Sequence, residues 1–192
     1  MLRIGVLALQ GSVAEHMAKL NALPDVEGVA VKTCGELNRI DGIILPGGES
    51  TAIGKLLVDF GLMEPLKKRI NSGMPTWGTC AGMILMAKEI ADEPPHLGVM
   101  DIRVRRNAYG RQIDSFHKKA AIPAVAETPL DLIFIRAPWI EEAESSVQIL
   151  CRLDGYIVAA RQRNMLATSF HPELTNDLNM HRYFCRFALS GK

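Results

Sequence analysis

The sequence lacks a large excess of charge, since 22 lysines and arginines face 21 aspartates and glutamates among 192 residues. A net charge of +1 provides no whole-molecule field that would draw the chain to nucleic acid or to an anionic membrane. Long apolar runs are also missing, because stretches such as residues 4–9 and 83–87 fall far short of the roughly 20 residues that span a bilayer. These absences favour a small molecule or a protein as the partner.

Secretory and cysteine-based patterns are missing as well. The first ten residues hold one basic residue and a short apolar run without a small-residue cleavage site, so we expect a cytoplasmic protein. The four cysteines, Cys34, Cys80, Cys151 and Cys185, form no C-x-x-C pair, which argues against a zinc ribbon and against a disulfide framework. We expect neither a metal nor a cofactor, and each cysteine has to be judged by its surroundings.

The composition is that of a folded protein: 48% of the residues are hydrophobic, 22% are charged, and the mean hydropathy is +0.09. These values exclude a disordered tail, and the length matches one ordinary domain. We expect residues 1–192 to form a single domain, without repeats or linkers.

Apolar runs that predict buried strands alternate with segments of helical spacing. The predicted strands are residues 3–9, 29–32, 41–45, 75–79 and 166–170, and the predicted helices are residues 12–23, 50–59, 64–71, 82–90 and 177–189. Ser50 or Thr51 is the expected N-cap of the helix at 50–59. Between Val99 and Val158 the segments are shorter and more polar, which predicts an antiparallel flap or sheet edge.

This order predicts an α/β fold with a doubly wound, mostly parallel central sheet, flanking helices and a small antiparallel flap. Ligands of such folds bind beyond the carboxyl ends of the strands. We therefore expect the functional residues in the loops that directly follow strands.

One cysteine lies in a pattern typical of a catalytic nucleophile. Residues 78–82 read Gly-Thr-Cys-Ala-Gly, the form of a nucleophile elbow with cysteine in place of serine. Small neighbours permit a sharp strand-to-helix turn, where the helix dipole favours the thiolate of Cys80 and the amide of Ala81 points toward a developing oxyanion. The alternative is a buried cysteine in a tight turn. The other three cysteines lack these neighbours and are interpreted as small core or near-surface residues.

A base for this nucleophile follows the last predicted strand, in Ser-Phe-His-Pro-Glu at residues 169–173. Residues i and i+2 of an extended segment point the same way, so Glu173 can accept the Nδ1–H of His171 while Nε2 faces the sulfur. The alternative is a histidine that caps the next helix and a solvated glutamate. No comparable setting surrounds the other histidines, which are His16, His96, His117 and His181.

A double glycine follows another strand, in Pro-Gly-Gly-Glu-Ser-Thr at residues 46–51. Gly47 and Gly48 permit backbone amides to turn inward as oxyanion donors. A Walker A phosphate loop is excluded, because Glu49 stands at its first glycine and Leu56 at its Ser/Thr position. A dinucleotide fingerprint after the first strand is excluded by the spacing of the glycines there.

Basic residues cluster at Arg103, Arg105, Arg106 and Arg111. Such a cluster is usually a solvated face, and with few aromatic residues between its members it gives little support for nucleic-acid binding. One of these arginines, or Arg136, can instead bind a substrate carboxylate with two parallel hydrogen bonds. Both interpretations stay open at this point.

The cysteine elbow, the double glycine and the late His-x-Glu occur in the chain order of the triad class of glutamine amidotransferases, which the sequence resembles. Within that class the sequence is similar to the glutaminase subunits of pyridoxal 5'-phosphate synthase. The matching segments span almost the whole chain and are Leu-Gln-Gly (9–11), Leu-Pro-Gly-Gly-Glu-Ser-Thr (45–51), Gly-Thr-Cys-Ala-Gly (78–82), Arg-Asn (106–107), Gly-Arg-Gln-Ile-Asp-Ser-Phe (110–116), Phe-Ile-Arg-Ala-Pro (134–138) and Ser-Phe-His-Pro-Glu-Leu-Thr (169–175).

The resemblance implies a flavodoxin-like class I glutamine amidotransferase architecture. It also implies an enzyme that hydrolyses L-glutamine to L-glutamate and ammonia through a thioester. The implied partner is a separate synthase subunit in a hetero-oligomer, which uses the ammonia to build pyridoxal 5'-phosphate, the vitamin B6 cofactor, and which switches on the glutaminase. By position, Cys80 would be the nucleophile, His171 the base and Glu173 its orienting acid. The positions that would bind glutamine are Gly47, Gly48, Glu49, Arg106, Ile135 and Arg136.

Three positions depart from the family pattern. Arg105 stands where an acidic residue is common, His117 follows Asp-Ser-Phe, and Gly54 lies inside the predicted helix at 50–59. Because glycine inside a helix costs about 1 kcal/mol relative to alanine, Gly54 predicts a weaker helix.

Three other functions stay open for the same residues. The first is a glutaminase of this class that serves another synthase, for instance in imidazole or nucleotide biosynthesis. The second is a free-standing cysteine peptidase or deglycase-like hydrolase, and the third is a catalytically silent module that regulates a synthase. Glutamine hydrolysis, and its dependence on the partner, separate these alternatives.

Overall fold

The computed structural model describes residues 1–106 and 115–190 of the chain. Arg111 and most of the Gly-Arg-Gln-Ile-Asp-Ser-Phe segment lie outside the described residues, so the interpretations attached to them stay predictions.

The described chain alternates strands and helices in its first half. The helices are α1 (Val13–Asn21), α2 (Cys34–Leu37), α3 (Ser50–Asp59), α4 (Met63–Asn71), α5 (Ala81–Met86) and α6 (Asn179–Ser190), and a short 3₁₀ helix spans Pro172–Leu174. The strands are β1 (Leu2–Leu7), β2 (Val26–Val31), β3 (Gly42–Leu45), β4 (Thr76–Thr79), β5 (Ala87–Ile90), β6 (Met100–Arg105), β7 (Ser115–Ala120), β8 (Leu130–Ile135), β9 (Trp139–Ala143), β10 (Gln148–Leu153), β11 (Tyr156–Gln162) and β12 (Met165–Thr168).

A ten-stranded sheet forms the centre, in the order β2-β1-β3-β4-β12-β11-β9-β6-β5, with β10 also paired to β11. The strands from β2 to β12 in this order are parallel, whereas β11, β9 and β6 continue the sheet through antiparallel pairs. Strands β7 and β8 form a separate antiparallel pair. The predicted doubly wound, mostly parallel sheet with a small antiparallel element is confirmed.

Apolar side chains are buried on both faces of the parallel half. In β3, Ile43 and Leu45 pack into one core with α3, α4 and α5, while Ile44 packs into the other core with α1 and α6. All three are fully buried. Burial on both faces is the reason that these strands appear in the sequence as continuous apolar runs without alternation.

Two parts of the sequence-based prediction were wrong or incomplete. The helix predicted at 82–90 ends at Met86, and Ala87–Ile90 forms β5 in parallel pairing with β6. Tertiary pairing at the sheet edge overrides the helical preference of Ala-Lys-Glu there. In the segment from 99 to 158, strands β6, β9, β10 and β11 belong to the edge of the main sheet, and the separate flap is confined to β7 and β8.

Candidate active site

Three loops meet at the carboxyl edge of neighbouring strands. Gly47 follows β3, Cys80 follows β4, and His171 follows β12. Strand β4 pairs in parallel with both others, so Thr79 lies beside Thr168 and Gly78 lies beside Leu45. The adjacency of the parallel strands thus brings together the three segments that the sequence singled out.

The elbow at Cys80 has a strained backbone. Cys80 has φ +48° and ψ −104°, a region that residues with a side chain rarely adopt, and its N–H donates to the Thr168 carbonyl at 2.8 Å. A Cβ at Gly78 would lie 2.5 Å from the carbonyl carbon of Gly82, and a Cβ at Gly82 would overlap the Leu45 carbonyl oxygen. The turn therefore requires glycine on both sides of the cysteine.

The sulfur of Cys80 faces the pocket beside His171. The Cys80 thiol lies close enough to the His171 ring to raise the pKa of that imidazole, and its Sγ lies 4.0 Å from the carbonyl oxygen of Ile135. Helix α5 begins at the next residue, Ala81, whose N–H belongs to the first turn and has no acceptor within the helix. This N–H is available to a negatively charged oxygen formed next to Cys80.

His171 and Glu173 form a buried pair. The Nδ1 of His171 donates to Oε1 of Glu173 at 2.8 Å, and Oγ of Ser12 donates to the same oxygen at 2.7 Å. The pairing expected from the i, i+2 spacing is present, although Glu173 lies in the 3₁₀ helix rather than in an extended segment. The Glu173 side chain is fully buried and His171 is 7% exposed, so the pair is shielded from solvent.

Burial opposes charge on both partners, but their contacts favour it. Burial alone lowers the pKa of His171, whereas its hydrogen bonds and charge interactions with Cys80 and Glu173 raise that pKa well above its ordinary value of 6.5. Burial alone raises the pKa of Glu173, whereas the His171 hydrogen bond, the charges nearby and Ser12 lower it below 4.5. At neutral pH the pair is therefore an imidazolium held by a carboxylate, able to protonate a leaving group.

A pocket of about 440 Å³ opens over these residues. Its lining contains every residue predicted to bind substrate or an oxyanion, namely Gly47, Gly48, Glu49, Ala81, Arg106, Ile135 and Arg136, together with Cys80 and His171. Glu173 does not line the pocket, because it lies behind the His171 ring.

Three charged residues form what we call the charged end of the pocket: Glu49 and Arg106, which line it, and Glu93, which contacts Arg106. Arg106 Nη2 donates to Glu49 Oε1 at 2.7 Å, and Nη1 donates to both oxygens of Glu93 at 2.8 and 2.9 Å. The Glu93 contact was missed in the sequence, because Glu93 lies far from the glycine loop and carries no motif. This end of the pocket can hold the charged groups of an amino acid.

The N-cap of α3 differs from the prediction. Glu49, rather than Ser50 or Thr51, is the cap, and its carboxylate accepts from the amides of Thr51 at 3.2 Å and Ala52 at 2.7 Å. Although partial burial opposes ionisation, these amides and Arg106 lower the pKa of Glu49. Ser50 is instead buried as the first residue of the helix. One carboxylate thus both starts α3 and holds Arg106.

The remaining arginines separate the two interpretations of the basic cluster. Arg103 and Arg105 pair with Glu141 and do not line the pocket, with Arg105 also near Asp92, so they form the solvated face. Arg106 enters the pocket. Arg136 lines the pocket on a strained backbone with φ +42°.

A fourth loop, which follows β1, was not predicted as part of the site. Gln10 Oε1 accepts from the Glu49 amide at 2.9 Å, and Ser12 donates to Glu173 as described above. The signal was available, because this loop also follows a buried parallel strand. The expectation that His16 and His181 have no comparable setting was wrong: both rings are fully buried, His16 lies beside Glu173, and His181 lies beside His16. The two histidines lie on helices α1 and α6, far apart in the sequence, so no local pattern indicated that they meet near Glu173.

The other cysteines agree with the packing interpretation. Cys151 and Cys185 are buried, and burial raises the pKa of both thiols, that of Cys185 to about 12. Cys34 is exposed at the start of α2. Across residues 1–106 and 115–190, no three or more His, Cys, Asp or Glu side chains are arranged to hold a metal ion. None of the helices in that part of the chain combines the length and apolarity needed to cross a bilayer.

Comparison with known sequences gives consistent matches over nearly the whole chain. The model of the SNO glutamine amidotransferase family matches residues 6–190. The pyridoxal 5'-phosphate synthase subunit PdxT of Ruminiclostridium cellulolyticum is 57% identical over 185 residues, which cover 96% of this chain and 98% of that protein. The PdxT subunit of Carboxydothermus hydrogenoformans is 55% identical over 191 residues, covering 99% and 100%.

Solved structures agree with these matches. A crystal structure of a glutamine amidotransferase is 42% identical and superposes with a TM-score of 0.91, covering 96% of this chain and 98% of that one. A chain of the PurLQS structure from Thermotoga maritima, with 13% identity and a TM-score of 0.67 over 98% and 95% of the two chains, shares the fold. The resemblance inferred from the motifs is confirmed, and this chain belongs to the SNO glutamine amidotransferase family.

Proposed function

We propose that this chain hydrolyses L-glutamine to L-glutamate and ammonia, with Cys80 as nucleophile, His171 as acid and base, and Glu173 as the residue that orients His171. The observation that carries the proposal is the strained Cys80, which shares the wall of one pocket with Arg106 and with His171, itself hydrogen-bonded to the buried Glu173. Membership of a glutamine amidotransferase family supports the same chemistry.

The first half of the reaction forms a thioester. The thiolate of Cys80 attacks the side-chain amide carbon of glutamine, and the oxygen of that amide takes up the negative charge. The Ala81 amide and an amide of Gly47 or Gly48 stabilise this oxyanion. The C–N bond then breaks as His171 gives its proton to the nitrogen, so that ammonia leaves and the acyl group stays on the sulfur.

The second half releases glutamate. His171, now neutral, takes a proton from a water molecule, whose oxygen attacks the thioester carbon. The C–S bond breaks, L-glutamate departs, and the thiolate of Cys80 and the imidazolium of His171 are restored. Glu173 keeps the Nδ1–H of His171 pointed at its own Oε1, so that Nε2 faces the reacting atoms in both halves.

The charged end of the pocket is suited to the α-amino acid part of glutamine. Arg106 is proposed to bind the α-carboxylate and Glu49 the α-ammonium group, with Ile135 and Arg136 contributing through the backbone. Since Arg106 contacts Glu49 and Glu93 at the same time, binding of the carboxylate requires Arg106 to exchange at least one of these contacts.

The ammonia is proposed to pass to a synthase subunit that makes pyridoxal 5'-phosphate, in a hetero-oligomer located in the cytoplasm. The relatives named as pyridoxal 5'-phosphate synthase subunits support this pathway, because they cover nearly the whole chain at more than half identity. Residues 1–192 are proposed to act as one glutaminase domain, which the sheet common to all parts of the site supports.

The test is release of ammonia and glutamate from L-glutamine by the purified chain, with and without a synthase subunit of pyridoxal 5'-phosphate synthase. We expect turnover to rise strongly with the synthase and to be abolished by Cys80→Ala. Cys34→Ala, which changes an exposed cysteine outside the pocket, is the matched control and should keep full activity. Turnover of the Cys80→Ala protein near the wild-type rate would refute the nucleophile.

The partner is tested separately. Equal turnover with and without this synthase would contradict activation by it and would direct attention to another synthase. Cleavage of peptides without any glutamine hydrolysis would favour the hydrolase alternative.

A further inference from the structure

Two buried histidines lie behind the triad and have no part in the mechanism above. His16 is on α1 and His181 is on α6, and both are fully buried. Their rings are 5.2 Å apart between centroids, and both meet the ring of Trp77 edge-on, at 5.8 and 5.0 Å. We call His16 and His181 the histidine pair. Burying two ionisable rings in an aromatic core is costly unless their polar atoms are used.

The histidine pair connects to the unused side of Glu173. His16 Nδ1 lies 3.0 Å from Nε2 of His181, while His16 Nε2 lies 3.3 Å from Thr79 Oγ1 and 3.5 Å from Glu173 Oε2. Glu173 Oε1 is the oxygen that binds His171 and Ser12. The two oxygens of one carboxylate thus face two different histidines.

Glu173 Oε2 is a buried acceptor without a hydrogen-bond donor among the described residues. Among these residues, the nearest donor available to it is His16 Nε2. An ionised carboxylate in a buried site needs its lone pairs occupied, because each unsatisfied charged acceptor is expensive.

The contacts favour one tautomer of His16. With the proton on Nε2, His16 faces the acceptors Thr79 Oγ1 and Glu173 Oε2, and its Nδ1 accepts the Nε2–H of His181. With the proton on Nδ1, the lone pairs of His16 Nε2 and Glu173 Oε2 would face each other. His181 would then carry its own proton on Nδ1, which is buried without a partner in the described structure.

The surrounding groups keep the histidine pair uncharged at neutral pH. Burial is the main cause that lowers the pKa of His16 to about 4 and that of His181 to about 3. Glu173 and Glu15 raise the pKa of His16 and His171 lowers it, while His16 and Lys19 lower the pKa of His181 and Glu173 raises it. The charged and titratable groups that act on the two rings thus lie in the 3₁₀ helix, directly before it and in α1.

We propose that His16 is a positioning residue, whose Nε2–H is directed at Glu173 Oε2 and fixes the plane of that carboxylate so that Oε1 faces His171, while His181 holds the His16 tautomer. This role rests on the proposed glutaminase reaction. It places a second layer behind the triad: His181 orients His16, His16 orients Glu173, and Glu173 orients His171. The rings of His16 and His181 do not touch substrate.

The first test measures the tautomer directly in the full-length chain with ¹⁵N-labelled histidine. The His16 signals are identified by their loss in His16→Gln, and we expect a neutral ring protonated on Nε2 at neutral pH. A ring protonated on Nδ1, or a doubly protonated ring, overturns the proposal. This measurement needs neither glutamine nor a partner.

The second test compares three variants in the complex with the synthase. His16→Leu removes the donor, and we expect kcat to fall by about 10- to 100-fold while KM for glutamine changes by less than about 2-fold, a smaller loss than that of a general acid–base group. His16→Gln puts an amide nitrogen near the position of Nε2 and should recover most of the loss. His16→Asn, whose amide ends near Nδ1, is the matched control and should not recover it.

The pH profile separates positioning from a purely structural role. Without the donor the Glu173 carboxylate is free to turn away from His171, so their hydrogen bond weakens and the imidazolium is stabilised less. The high-pH limb of the kcat profile should therefore move to lower pH in His16→Leu and stay in place in His16→Gln. The proposal is overturned if all three variants have the same kcat and the same high-pH limb. It is also overturned if each loss of kcat equals the fraction of unfolded protein in that variant.

A variant that does not fold and a failure of the proposed function can each be told apart from a failure of this proposal. If His16→Leu does not fold, the comparison of the Gln and Asn variants decides, since both replace the ring with an amide. If the wild type with synthase releases no ammonia, the proposed function fails. The tautomer and the pH dependence of Cys80 alkylation by iodoacetamide still test the role of His16.

Discussion

The two ends of the pocket use similar hydrogen-bond lengths in very different surroundings. At the triad end, the side chains of His171 and Glu173 are 9% and 0% exposed and lie 2.8 Å apart. At the charged end, Arg106 is 25% exposed and its partners Glu49 and Glu93 are 50% and 36% exposed, at 2.7 and 2.8 Å. Distance alone therefore does not rank these interactions.

Burial decides what each end can do. The electrostatic interaction within a buried charge pair is strong because water does not screen it. Removing one member is strongly destabilising, since the other is left buried without a partner. An exposed pair is screened by water and exchanges partners at little cost. The buried end thus suits a proton transfer that needs fixed atoms, and the exposed end suits a charged ligand that must replace an existing contact.

Replacing the buried carboxylate of Glu173 should have the largest effect on turnover. In Glu173→Gln the imidazolium of His171 loses its counter-charge, and we expect kcat for glutamine to fall by about 10²–10⁴-fold. Because Glu173 raises the pKa of His171, its removal should also move the high-pH limb of the rate profile to lower pH. Steady-state kinetics across pH with the synthase present measure both effects.

The control for this change is Glu64→Gln, which removes an exposed carboxylate in the first turn of α4. It should leave both kcat and the profile unchanged. A Glu173→Gln enzyme within a few-fold of wild type would mean that Glu173 does not orient His171.

The triad end was largely predictable from sequence because its signals are local. Glycines on both sides of Cys80 encode the elbow, and the i, i+2 spacing encodes the contact between His171 and Glu173. A buried strand before each segment places both at the same edge of the sheet. Each of these signals lies close in sequence to the side chain that it predicts.

The rest depends on contacts between distant segments. His16 reaches Glu173 from a helix at the other end of the chain, Glu93 reaches Arg106 from the loop after β5, and β5 itself exists because β6 pairs with it. Nothing near these residues in the sequence distinguishes them from ordinary helix or surface residues. Tertiary packing, which pattern reasoning does not contain, selects them.

Weakening the charged end should change affinity rather than turnover. Arg106→Lys keeps the charge but loses the planar guanidinium that binds Glu49 and Glu93 together. We expect KM for glutamine to rise by about 10- to 100-fold with kcat within about 3-fold, because a bidentate carboxylate contact is worth roughly 1.5–3 kcal/mol. Initial rates over a wide range of glutamine concentration separate the two constants.

Arg105→Lys is the matched control, since Arg105 is the neighbouring residue and pairs with Glu141 outside the pocket. It should behave as wild type. A fall in kcat of Arg106→Lys as large as that of Glu173→Gln would remove the distinction between the two ends.

The smallest expected effect concerns the packing beneath the charged end, and it explains Gly54. Helix α3, which is capped by Glu49, runs unbroken through Gly54, and a Cβ there would overlap Nδ1 of His96 and lie 2.8 Å from its Cε1. Alanine gains about 1 kcal/mol of helix propensity but costs about 1–3 kcal/mol by overpacking, so Gly54→Ala should lower the free energy of unfolding by about 1 kcal/mol.

Gly54→Ala should change the free energy of unfolding in the opposite direction once the His96 ring is removed. In a His96→Ala background the overlap disappears and the helix preference remains, so Gly54→Ala should raise the free energy of unfolding by about 1 kcal/mol. Urea denaturation of the four proteins in this cycle measures the reversal. If Gly54→Ala stabilises both backgrounds equally, the His96 ring moves aside without loss of stability. The glycine then only weakens the helix, as the sequence alone implied.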